Sequence, residues 1–128
     1  KSYVDYGAFT PVQVAGTAAL NGPQDCVSEI RKTYKDRRDL LIKSFKRIGW
    51  DIPSPEASMF VWAPIPYKFK NRGSMKFSKD LMINADVAVA PGLAFGKNGE
   101  GFVRIGLVEN KHRIRQAAKN INNYFKKI

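Results

Sequence analysis

Among the residues able to do chemistry, Arg104 stands in the least expected place. It interrupts FVRIGLV, Phe102 to Val108, where the other six residues are apolar or small. The segment reads as a buried strand, and an arginine cannot shed its charge there. Strand alternation puts Phe102, Arg104 and Gly106 on one face and Val103, Ile105 and Leu107 on the other. Gly106 leaves room beside Arg104 for a ligand or another backbone to approach. A guanidinium fork matches a carboxylate in a bidentate pair. Two readings of Arg104 follow: a salt bridge to Glu100, Glu109 or Asp86, or a site for an external anion.

The other reactive residues offer less. His112 is the one histidine and falls in the first turn of a solvent-facing helix, with no ligand partner or nucleophile beside it. Cys26 is the one cysteine; at a helix start its thiol could be acidified, but a bystander role suffices. In Gly92-Leu93-Ala94-Phe95-Gly96-Lys97-Asn98 three residues separate the glycines and Asn98 follows the lysine. A phosphate-cradling Walker loop requires four residues there and a hydroxyl after the lysine. The glycines at 96, 99 and 101 instead suit a turn between strands.

The elements that must position these residues can be read from periodicity. Thr10 and Pro11 form a helix start, with Thr10 as N-cap and the helix ending at Asn21-Gly22-Pro23. A long helix over about 24–48 carries Val27, Ile30, Tyr34, Leu41, Phe45 and Ile48 on one face, with Arg37 or Arg38 breaking the stripe. Gly49 ends it. Trp50 to Ile52 reads as a short strand between helix and prolines. Ser58 to Pro64 is apolar on both faces, as in a covered central strand. Tyr67 to Gly73 is a basic aromatic loop. Ser74 caps a helix with Phe77, Leu81 and Met82 inward, ending near Asn84. Val87 to Ala90 is a short strand leading to Pro91-Gly92. Asn110 caps a final helix with Ile114, Ala117, Ala118, Ile121, Phe125 and Ile128 on one face. Strands so segregated from helices predict an α+β fold: a two-layer domain in which a small, mostly antiparallel sheet is packed by helices, with a long bridging N-terminal helix.

Composition bounds the class. The chain has 128 residues, 44% hydrophobic and 26% charged, as in a folded globular domain. No apolar run reaches membrane-spanning length, so a cytoplasmic location and no membrane partner are expected. The net charge of +11 comes from 22 basic and 11 acidic residues. Residues 24–48 hold eight bases and four acids, and residues 110–128 hold six bases and no acid. The excess lies on two helices, where a solvated face accounts for it. A basic α+β module that binds nucleic acid through these faces is the alternative, though no recognition motif supports it.

Five segments, in order, resemble the C-terminal part of the class I/II pyridoxal-phosphate-dependent aminotransferases, the aspartate/alanine-aminotransferase-like family of fold type I. They are Tyr6 to Gln13 (YGAFTPVQ), Asn21 to Asp25 (NGPQD), Pro55 to Trp62 (PEASMFVW), Val89 to Gly96 (VAPGLAFG) and Phe102 to Ile105 (FVRI). The wording around Ser58 to Trp62 and Val108 to Asn110 is most similar to alanine (glutamate–pyruvate) enzymes, ahead of aspartate ones; carbon–sulfur lyases and acyltransferases share the fold.

The resemblance implies a function. Arg104 would grip the α-carboxylate of an amino or 2-oxo acid and orient it for reaction. Ala57 and Ser58 would line the substrate pocket, and Phe9 and Thr10 would reach toward a neighbouring subunit's site in a homodimer. Pyridoxal 5'-phosphate would supply the hard chemistry, held mainly by a large domain whose lysine, aspartate and phosphate-binding motifs have no counterpart in this sequence. Residues 1–23 would then be the tail end of that large domain and 24–128 the small domain that closes over substrate. The abrupt apolar opening at Tyr3, Val4 and Tyr6 suits a piece of a longer enzyme, inactive alone.

Overall fold

The computed structural model describes residues 7–128; Tyr3, Val4 and Tyr6 lie outside them. The chain divides into two units, Lys1–Lys32 and Thr33–Ile128. In the first unit, helix α1 spans Thr10–Asn21 and buries none of its residues. Its cap is Phe9, without a side-chain hydrogen bond. Thr10 is therefore already helical and does not cap; the amides of Val12 and Gln13 go to the Phe9 carbonyl instead. Helix α2 spans Asp25–Arg47. In the part of α2 that belongs to the first unit, Val27 and Ile30 are exposed.

The second unit holds the core. The latter part of α2 buries Leu41 and Phe45. Next comes strand β1, Phe60–Pro64, then a 3-10 turn over Tyr67–Arg72 and helix α3, Gly73–Ala85. Strand β2 is only Ala90–Pro91, followed by 3-10 turns at Gly92–Phe95 and Lys97–Gly99. Strand β3, Phe102–Gly106, and helix α4, Lys111–Lys126, complete the unit. The sheet is antiparallel with order β1-β3-β2, so the architecture is the expected α+β one.

Alternation decides which face of the sheet is covered. Val61, Ala63, Val103 and Ile105 point into one cluster with Leu41, Phe45, Phe77, Leu81, Ile114, Ala118 and Ile121. Trp50, 1% exposed, stacks on Phe45 and meets Phe77 edge-on. Its indole donates to the Pro64 carbonyl at 2.8 Å, tying the end of α2 to the end of β1. Asn110 caps α4 as expected, accepting from the amides of His112 and Arg113 at 3.0 Å.

Several expectations give way, each for a stated physical reason. Trp50 and Ile52 are buried, but Trp50 to Ile52 is not a strand, because the Trp50 amide already closes the α2 terminus on Phe45. Val87 to Val89 stays unpaired for a similar reason: the Val87 amide returns to Leu81 at the end of α3. β1 is an edge strand and not a covered central one. Its second apolar face is an aromatic surface with Trp62 38% exposed, and the central position belongs to β3. Met82 and Ile128 point outward, while Tyr124 lies inward. Tyr67 to Arg72 is helical rather than open loop.

The Trp50 linkage makes a prediction. Trp50→Phe keeps a ring in the core but strands the Pro64 carbonyl. Urea unfolding of the variant is expected to give a loss of about 1–3 kcal/mol, with an unchanged slope.

Candidate functional site

The face of the sheet turned away from the core cluster carries Arg104. The residue sits at the centre of β3, opposite Trp62 on β1 and Ala90 on β2, and is half-buried. Its guanidinium carbon lies 4.2 Å from the centre of the Phe60 ring and 4.3 Å from that of Phe95. Among the described residues no carboxylate pairs with it. The three candidate salt-bridge partners are placed otherwise. Glu100 accepts hydrogen bonds at the start of α3, Asp86 is the left-handed C-cap of the same helix, and Glu109 is exposed beyond β3.

The sequence places both rings by simple means. Phe60 faces Gly106 in the register; with no side chain at 106, the ring can lean diagonally onto Arg104. Phe95 ends the 3-10 turn that follows Pro91. That turn is compressed against the next one. A Cβ added at Gly92 would stand 1.9 Å from the Gly99 carbonyl oxygen, and one at Gly99 would stand 2.1 Å from that of Gly92. Glycine is required at both positions. Around the pair, Trp62 meets Phe95 edge-on and stacks on Phe102, each at 5.7 Å, so two rings lie against the cation and two more back them.

A hydrogen-bonded latch fixes the Phe95 turn from below. The Ser74 hydroxyl, fully buried, accepts from the Leu93 amide at 3.1 Å and donates to Glu100 at 3.0 Å. Glu100 also accepts from the Ser74 amide at 2.6 Å and the Gly101 amide at 3.0 Å. Ser74 is thus not the N-cap that its position suggests; Glu100 serves the helix start in its place. These donors, the Ser74 amide first, hold the Glu100 carboxyl below its usual range. Two arginines of α2 secure neighbouring strands. Arg37 donates to the carbonyls of Leu107 and Val108 at 3.1 and 3.0 Å, and Arg38 to that of Pro55 at 3.1 Å.

The remaining expected site residues are more scattered. Ala57 and Ser58 are exposed just before β1. Ser58 has a positive φ of 79°, uncommon for a residue with a side chain, and its hydroxyl accepts from the Phe60 amide at 3.3 Å. Phe9 and Thr10 are exposed in the first unit. Cys26 and His112 are exposed, and no cluster of potential metal ligands occurs among the described residues. Phe60 and Phe95 are the residues that sequence reasoning missed. The alternation that placed Phe102 beside Arg104 could have flagged Phe60 across the strand pair; nothing local to Phe95 announces where its turn will set it.

Chemically, the site offers a cation with two rings packed against it and N–H donors around its edge. That suits a planar anion such as a carboxylate. The residues gathered about Arg104 include no lysine to bond an aldehyde and no carboxylate to hold a pyridinium nitrogen. They do not make a cradle for pyridoxal phosphate.

The latch predicts a pH dependence. A carboxyl held below its unfolded value adds stability above that value, and the stability is lost as pH falls through the folded one. The acid limb of unfolding is therefore expected to flatten in Glu100→Gln, as measured by thermal midpoints from pH 7 down to about 3.

Comparison with known proteins agrees on one family. The family model described as aminotransferase class I and II matches residues 3–121. AatC of Rhizobium meliloti (strain 1021) is 57% identical over 124 residues, covering 97% of this chain and 31% of that protein. The glutamate-pyruvate aminotransferase AlaC of Escherichia coli (strain K12) is 50% identical over 126 residues, covering 98% of this chain and 31% of AlaC. Further relatives, 33% to 42% identical, bear the name LL-diaminopimelate aminotransferase. The crystal structure of an aromatic aminotransferase from Pyrococcus horikoshii OT3 superposes with a TM-score of 0.87 at 31% identity, covering 98% of this chain and 34% of that one. The chain thus spans under a third of the length of AatC and AlaC.

Proposed function

This chain belongs to the class I and II aminotransferases, and on that premise we propose that it is the small, substrate-closing part of an enzyme moving an amino group between an amino acid and a 2-oxo acid. Arg104 is the α-carboxylate anchor. The observation that carries this reading is the guanidinium itself, half-buried on an open face, held by two rings, and paired with no carboxylate of the described residues. Residues 24–128 form the small domain and residues 1–23 the end of the large one. Exposed Phe9, Val12, Val14 and Leu20 are apolar surface for that remainder to cover, and Phe9 and Thr10 reach the neighbouring subunit's site in a homodimer.

Pyridoxal phosphate, held mainly by the rest of the protein, would supply the electron-sink chemistry of the reaction. The work of this chain is binding and orientation. A bidentate Arg104–carboxylate pair fixes two atoms of the substrate, and with them the direction of the bonds at its α-carbon. Ala57 and Ser58, entering β1 two or three residues before Phe60, border the side-chain end of the pocket. Identity of 50% to the glutamate-pyruvate enzyme AlaC favours alanine with 2-oxoglutarate as substrates. A diamino diacid is the second reading, supported by the lower identity to relatives named LL-diaminopimelate aminotransferase.

Steady-state transamination by the full-length protein tests this reading. Alanine with 2-oxoglutarate is expected to give a higher kcat/KM than aspartate or LL-diaminopimelate. Arg104→Lys keeps the charge but loses the fork, and is expected to lower kcat/KM roughly ten- to hundredfold for every carboxylate substrate. An unchanged KM in Arg104→Lys contradicts the anchor.

A further inference from the structure

Arginines that wait for a substrate face a physical problem. A long, flexible side chain loses rotamer freedom when it grips a ligand, and an internal carboxylate that held it in advance would compete for the same donors. Among the described residues no carboxylate holds the guanidinium. Phe60 covers it at 4.2 Å and Phe95 at 4.3 Å. The first ring comes from the edge strand β1 and the second from the turn that follows β2. The negative faces of the rings stabilise the cation but accept none of its in-plane hydrogen bonds. All five donors stay available at the edge, and the rings keep water from the faces, which strengthens whatever the edge binds.

We propose that Phe60 and Phe95 are positioning residues for the substrate carboxylate: a two-sided aromatic clamp that presets the plane in which Arg104 receives it. The proposal rests on the reading of Arg104 as carboxylate anchor. It explains features that a simple surface arginine would not need. Gly106 opens the diagonal for Phe60. The Gly92–Gly99 contact and the Ser74–Glu100 latch fix the turn that presents Phe95. Trp62, which stands on β1 opposite Arg104, meets the Phe95 ring edge-on and so ties it to the strand pair.

The test uses the full-length enzyme and a graded replacement of Phe95 by mono-, di- and trifluorophenylalanine. Fluorine withdraws charge from the ring face while nearly conserving shape, so folding and packing are preserved. Phe60→Leu, Phe95→Leu and Arg104→Lys are measured alongside, with circular dichroism to confirm folding. The clamp predicts that KM for amino and oxo acid rises stepwise with fluorination, reaching about three- to thirtyfold in the leucine variants, while kcat changes about twofold or less. A flat fluorine series with unchanged KM in both leucine variants, while Arg104→Lys raises KM, overturns the clamp and leaves the anchor standing. An unchanged KM in Arg104→Lys overturns the anchor, and the clamp with it.

Discussion

A charge that cannot be neutralised by proton loss sits on the central strand of this sheet, and among the described residues no opposing charge pairs with it. Burying an unpaired guanidinium outright would cost several kcal/mol. Here the cost is reduced by leaving Arg104 only half-buried and by packing rings against the cation, each worth about 0.5–2 kcal/mol. Much of the second unit can be understood from that constraint. The helices gather on one side, where Val61, Ala63, Val103 and Ile105 meet them. The other side keeps Phe60, Trp62, Phe95, Phe102 and Arg104 together.

The supporting contacts fall into two groups, both anchored in the covered layer. Helix α2 reaches past its own turn with Arg37 and Arg38 to hold backbone carbonyls at the end of β3 and ahead of β1. Helix α3 fixes the Phe95 turn through Ser74 and Glu100. These arginines also bear on the net charge of +11: part of the basic surplus on α2 does structural work on strands, and the basic residues of α4 lie on its exposed face. No helix of the described residues is long and apolar enough to cross a membrane.

Much of this was legible in the sequence. The α+β class, the buried stripe of α4, the Leu41 and Phe45 part of the α2 stripe, the Asn110 cap and the split of β3 into a buried and an open face all follow from period and cap chemistry. So does the anomaly of Arg104, and the five-motif resemblance pointed to the family that comparison supports. What could not be read was long-range. Strand pairing at Trp50 and Val87 was pre-empted by helix-closing hydrogen bonds whose acceptors lie five or six residues back. The apolar stretch of β1 looked central because sequence cannot tell a helix-covered face from one covered by aromatic neighbours. The Ser74–Glu100 pair spans 26 residues and carries no local sign.

The central claim is that Arg104 is an anion receptor preset by two rings. Its most direct test is a crystal structure of the full-length protein bound to a non-reactive carboxylate analogue of the substrate. The account predicts both carboxylate oxygens within about 2.7–2.9 Å of the Arg104 nitrogens, coplanar with the guanidinium, with Phe60 and Phe95 still on its two faces. An analogue seated away from Arg104, or a guanidinium paired with a carboxylate of the protein itself, would contradict it.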